Sequence, residues 1–151
     1  MRFLADSMIG KLAKFLRMID VDVTYCPPQK KREILEMATR GERVLLTRNA
    51  HVANELPADQ CFYIKSNNPR EQFAEVVERF DISIPEKLFT RCLQCNSPME
   101  EVSAEEVADR VPRRVLRSVD EFHYCRQCDK VFWQGSHTKR MAREVLGTIR
   151  S

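Results

Sequence analysis

Phe3-Leu4-Ala5-Asp6-Ser7-Met8-Ile9-Gly10-Lys11-Leu12-Ala13-Lys14-Phe15-Leu16-Arg17-Met18-Ile19, followed by Val21-Asp22-Val23-Thr24-Tyr25, decides the fold of this chain. A short apolar run is a strand; Ile9, Leu12, Ala13, Leu16 and Ile19 then recur at helical spacing; the second apolar run is again a strand. Asp6 or Ser7 is placed to cap the helix start. The opposite helix face carries Lys11, Lys14 and Arg17. Outward from this unit the alternation continues: Ile34 to Ala38, Val44 to Leu46, Phe62 to Ile64, and Phe73 to Phe80. Strands alternating with helices predict an α/β domain with a parallel sheet and helices on its faces. The last helix of the series opens with Pro69, favoured in a first turn, and buries Phe73, Val76, Val77 and Phe80. Asp81 to Pro85 reads as a linker, which predicts a first domain over residues 1–85 and a second, smaller unit over 86–151.

Composition restricts the class. With 151 residues, 43% hydrophobic and 31% charged, the chain has the content of one ordinary globular domain with an appendage, and no apolar run approaches the roughly 20 residues of a membrane helix. Asp6 interrupts the first apolar run too early for a secretory signal, so residue 1 is taken as the start and a cytoplasmic location is expected. The 25 basic and 22 acidic side chains leave a net charge of +3, too small by itself to mark a nucleic-acid binder.

Six cysteines in a reducing compartment point to metal rather than disulfides. Cys92-Leu93-Gln94-Cys95 and Cys125-Arg126-Gln127-Cys128 each place two thiolates on one tight turn, and two such turns make the tetrahedral sulfur set that Zn²⁺ prefers. The 29 residues between Cys95 and Cys125 exceed a usual ribbon spacing. They are read as an inserted helix, Ser103 to Asp109, followed by the basic stretch Arg113 to Arg117. Four sulfur ligands leave no open position, so the zinc is expected to be structural. Cys26 and Cys61 are expected to be buried, unpaired thiols. Beyond Cys128 come a strand, Val131-Phe132-Trp133, a turn at Gly135-Ser136, and a basic helical tail from Thr138 to Leu146.

In an open parallel sheet, ligands bind outside the carboxyl ends of the strands. The groups expected there are Asp6, Thr47-Arg48-Asn49 and Ser66-Asn67-Asn68. Carboxylates at such a rim would hold Mg²⁺ or Mn²⁺ and position a water against a phosphodiester. Asp6 is read both as that ligand and as a helix cap. Glu33 and Glu36 either point back toward the rim or lie on a solvated face. Lys11, Lys14 and Arg17 form a basic stripe beside Asp6, suited to successive phosphates or to plain solvation, and Arg48 extends it.

Taken together, the block from Phe3 to Ala13, Leu45-Leu46-Thr47-Arg48-Asn49, Gln72, Arg91-Cys92-Leu93-Gln94-Cys95-Asn96, Arg110-Val111-Pro112 and Trp133-Gln134-Gly135-Ser136-His137 resemble the Mut7-C family over nearly the whole chain. The resemblance implies a PIN-like nuclease domain, a zinc ribbon and metal-dependent cleavage of RNA. It makes Asp6 the first-strand metal ligand, with Asn49 and Asn67 at the other rim positions, while Glu33, at the start of the second helix, is the further catalytic candidate. The chain departs from the family pattern at Asn49, where relatives carry Asp, at Asn67 and Asn68, and in the basic segment Cys26 to Arg32. An amide brings no charge to offset a divalent cation, so weaker metal binding is expected. Trp133 and His137 are read either as RNA contacts or as ribbon packing and local hydrogen bonding. Two functions follow: a metal-dependent ribonuclease with weakened catalysis, or a nuclease-derived RNA-binding module. A protein-interaction adaptor built on the ribbon is a third reading.

Overall fold

The computed structural model describes residues 1–26, 30–40 and 42–150. Strand β1 (Arg2–Ala5) runs through the middle of a four-stranded parallel sheet of order β2-β1-β3-β4, with β2 at Asp22–Tyr25, β3 at Val44–Thr47 and β4 at Cys61–Tyr63. Side chains alternate across a strand, so β1 serves two cores at once. Phe3 and Ala5 enter one cluster with Leu12, Leu16, Phe73 and Val76, whereas Leu4 enters the other with Ile34, Ala38, Leu45 and Val52. Helices α1 (Gly10–Met18) and α4 (Pro69–Arg79) therefore cover the first face. Helices α2 (Lys31–Arg40) and α3 (Ala50–Asn54) cover the second.

The parallel sheet and its helices agree with the sequence pattern, with two local differences. A 3-10 turn over Ser7–Ile9 precedes α1, and α3 was not anticipated, because five residues are too few to show a period. The basic segment expected from Cys26 to Arg32 includes 27–29, which lie outside the described residues.

The second sheet is antiparallel, order β5-β6-β7, with β5 at Glu100–Val102, β6 at Phe122–Cys125 and β7 at Lys130–Phe132. The helix expected over Ser103 to Asp109 does not form; 104–110 is a run of turns. Ser103 and Glu106 do make the reciprocal capping bonds that start a helix. Val107 is the one side chain buried there, so no apolar stripe holds further turns. A short helix α5 forms instead at Arg113–Ser118, after Pro112.

The tail is helix α6 (Ser136–Arg150), longer than its sequence pattern showed. Ala142, Val145 and Leu146 lie in the same cluster as Phe73, Val76 and Val77, and Arg70 pairs with Glu144 at 2.6 Å. The chain stays against the first core through Ile82, Ile84, Leu88, Phe89 and Leu93, builds the rest of the cysteine module, and returns to the first core with α6.

The cysteine module also seals the sheet edge. Asn96, in the left-handed region at φ 73, accepts from the Val23 backbone N–H at 3.0 Å and donates to Asp22 at 2.6 Å. An edge strand otherwise offers unpaired N–H groups to other chains. Burial pushes the Asp22 carboxyl up, but hydrogen bonds from Arg43 and Asn96 outweigh it and hold the group below its ordinary value. Asp22 thus stabilises the fold at neutral pH, and that stability is lost as pH falls through its depressed folded-state value. In paired urea titrations, the stability difference between wild type and Asp22→Asn is expected to be flat from about pH 8 to 5 and to shrink only below about pH 4. A difference that changed across neutral pH would refute this assignment.

Candidate functional site

Asp6 follows β1 directly, with extended backbone, and is 3% exposed. Its Oδ1 accepts from the Met8 N–H at 2.9 Å, and its Oδ2 accepts from the Thr47 hydroxyl at the end of β3. The same Thr47 oxygen accepts from the Asn49 N–H at 3.0 Å. The ends of β1 and β3 are thereby tied through one hydroxyl. Asp6 is a cap of the 3-10 turn, and each of its oxygens keeps acceptor capacity beyond its one donor.

Asn49 sits on the same rim, but its Oδ1 caps α3 by accepting from the N–H groups of His51 and Val52 at 3.0 and 3.3 Å. Asn68 does the same for α4, bonding Arg70 and Glu71. Asn67 is exposed, with no hydrogen bond among the described residues. Glu33 opens α2, exposed, and accepts from the Lys30 N–H at 3.3 Å. Glu36 instead pairs with Arg32 along α2. Burial, then the charges of Asp6 and Glu33, raise the Cys26 thiol above its ordinary value. Burial and Asp6 push Cys61 up to about 11. Both cysteines are buried and free, so they are protonated thiols of low reactivity at neutral pH.

The loop after β4 is shaped by groups the sequence reading passed over. Glu75 accepts from the N–H groups of Lys65 and Ser66 at 3.0 and 3.1 Å, and Glu71 accepts from the Ser66 hydroxyl. Their i, i+4 spacing on α4 was the available signal. Gln72, 3% exposed, donates to the Ser66 carbonyl at 2.9 Å. Arg48 reaches the same loop, donating to the carbonyls of Lys65 and Ser66 at 3.3 and 3.4 Å. Tyr25, exposed at the end of β2, bonds the Ser7 carbonyl and was also missed.

The basic stripe is corrected at one position. Lys11 and Lys14 are exposed and form no ion pair among the described residues, but Arg17 is 6% exposed and faces inward. Its Nε donates to the Val23 carbonyl at 2.9 Å and its second nitrogen to the Leu93 carbonyl at 2.8 Å. Arg17 lies within the helical stripe that packs, and its planar fork matches two carbonyls there better than solvent does. Burial lowers the guanidinium from its ordinary value, opposed by Cys92 and Cys95. In the basic segment, Lys31 pairs with Glu55, leaving fewer free cations than the sequence implied.

The four sulfurs of Cys92, Cys95, Cys125 and Cys128 lie within 4.8 Å of one another, with Cys92 to Cys128 at 3.9 Å and Cys95 to Cys125 at 3.4 Å. Sulfurs at ~2.3 Å from a tetrahedral ion stand about 3.8 Å apart, so the set fits a metal ion. The Cys128 N–H donates to Cys125 Sγ at 3.4 Å, as in a turn that wraps its metal. Among the described residues, these cysteines form the one group of three or more metal-type side chains; the rim has no comparable set of acids. Trp133 packs half-buried against Phe122, ring centroids 6.3 Å apart, while His137 is exposed in the first turn of α6.

Among the described residues, no helix is long and apolar enough to cross a membrane. No curated protein and no solved structure matches the chain significantly. The family model described as Mut7-C RNAse domain matches residues 1–145, a span that takes in the Asp6 rim, the cysteine centre and most of α6. The chain belongs to the Mut7-C RNAse domain family.

Proposed function

We propose that this chain is a metal-dependent ribonuclease of PIN-like architecture, acting on RNA phosphodiesters with weakened catalysis. The observation that carries the reading is the buried Asp6 carboxylate, held by the Thr47 hydroxyl at the carboxyl end of the central strand. Asp6 and Glu33 are the residues that would hold Mg²⁺ or Mn²⁺, whose chemistry is to stabilise phosphate charge and acidify a water. The Thr47 hydroxyl orients Asp6. Lys11, Lys14 and Arg48 attract the RNA backbone, with Asn67 at the end of β4 free to contact it. Weak metal affinity follows from the engaged Asn49 oxygen and from only two charges. Residues 1–85 form the nuclease unit and 86–151 the zinc ribbon and tail, with zinc at the four cysteines. The thiols Cys26 and Cys61 suit a reducing, cytoplasmic compartment.

Cleavage of labelled single-stranded and structured RNA in Mg²⁺ or Mn²⁺ tests the reading. Asp6→Asn is expected to lower the rate roughly 100-fold or more while leaving low-salt RNA binding equal or tighter. One observation favours a second reading, an RNA-binding module without cleavage: the amide oxygens of Asn49 and Asn68 serve helix caps rather than the rim. Binding by the wild type with no cleavage in either metal would establish that module and exclude the nuclease.

A further inference from the structure

A cavity of about 430 Å³ opens between α1, the cysteine module and the start of α6, well within the size of small-ligand pockets. Phe89, Phe132 and Trp133 contribute its aromatic lining. His123 on β6 also lines it, is 5% exposed, and its ring makes no hydrogen bond among the described residues. No buried side-chain nitrogen or oxygen among the described residues is fully enclosed without a partner, so the His123 ring meets the cavity rather than a sealed core. A polar ring that a cavity leaves accessible and unpartnered is available to hydrogen-bond an incoming ligand. At the mouth stand Lys14 of α1 and Lys139 of α6, neither in an ion pair among the described residues.

We propose that this cavity receives a single unpaired base of the RNA, stacked among the aromatic side chains and hydrogen-bonded by His123, with the flanking phosphates on Lys14 and Lys139. The inference rests on RNA being the substrate. Flat apolar walls, a hydrogen-bonding imidazole inside and cations outside match a nucleotide, whose base is a stacking surface and whose phosphate is anionic. Asp120, also at the lining and without an ion pair, offers an acceptor to a base amino group. Lys11 and Lys14 share one face of α1, which begins just after Asp6 and its 3-10 turn. The strand therefore runs from the Asp6 rim over Lys11 and Lys14 into the cavity, and the base it inserts has to be free of a partner strand. Duplex RNA cannot make that insertion, so the cavity selects single-stranded substrate and fixes its position relative to the rim.

Trp133 is the single tryptophan of the chain, so its emission reports on the cavity alone. Full-length protein is mixed with end-labelled single-stranded oligonucleotide or with a blunt duplex of the same sequence. Anisotropy of the label is recorded beside Trp133 fluorescence. Single-stranded RNA is expected to quench Trp133 and the duplex is not, and an abasic nucleotide walked along the strand removes the quench at one position. Thr138→Phe, which fills the cavity at a residue without a hydrogen-bonding side-chain role, is expected to weaken single-strand binding about 10-fold. Its thermal midpoint and zinc content serve as folding controls. Single-stranded RNA that binds by anisotropy with Trp133 unchanged, and equally well to Thr138→Phe, overturns the cavity proposal while sparing the RNA reading. Absence of any anisotropy change at low salt overturns both.

Discussion

Cys92→Ser is expected to lose the bound metal and to unfold the cysteine module, lowering the stability of the whole chain by more than a single core substitution would. Structural zinc contributes roughly 10–16 kcal/mol in isolated four-ligand peptides, about as much as the whole stability of an ordinary domain. The module is small, with a core of Val107, Val111 and Phe122 and few further buried side chains, so little else holds it. Its loss also reaches the parallel sheet: Asn96 would leave the Val23 N–H on the edge strand, and Leu93 would no longer accept from Arg17. Elemental analysis is expected to find one zinc per wild-type chain and none in the variant, with chelator reproducing the variant's melting curve. Cys26→Ser, at a buried thiol outside the cluster, is expected to keep the metal. Wild-type metal content and melting in Cys92→Ser would show that the four sulfurs do not form one site.

Arg17→Ala is expected to destabilise the folded chain by about 3 kcal/mol, the scale of two hydrogen bonds from a charged donor. The cost arises on both sides of one junction, because the guanidinium bridges a carbonyl of β2 and a carbonyl between the first two cysteines. Arg17→Lys is expected to recover less than half of that loss, since an ammonium lacks the planar fork that reaches both oxygens. Urea denaturation at saturating zinc measures the effect, and hydrogen exchange at the β2 edge locates it. A loss below about 1 kcal/mol would mean that water replaces the guanidinium at both carbonyls. RNA affinity is expected to change little in folded Arg17→Ala, in contrast to the salt-dependent loss expected on removing Lys14.

Local pattern was enough for much of this architecture. The first strand, helix and second strand were legible because apolar residues at period two and at helical period are imposed by burial, whatever the chain does later. The cysteine pairs were legible because ligand spacing within a tight turn is a local constraint, and the rim position of Asp6 follows from strand direction alone. Family membership was legible in the order of the blocks. Other features depended on groups distant in sequence. Arg17 carries the same charge as Lys11 and Lys14 in the sequence, and its two carbonyl partners, Val23 of β2 and Leu93 of the cysteine module, make it a buried clamp rather than a surface cation. Asn49 reads as a ligand position until α3 supplies two N–H groups to its oxygen. The helix expected at Ser103 had its cap but no partner surface, and α6 found its partner in α4, far earlier in the chain. The cavity is assembled from α1, β6, β7 and α6, so no single stretch of sequence contains it. Periodicity and spacing specify what a segment buries or ligates; which distant segment meets it is decided by packing, and the fate of each polar group is decided there with it.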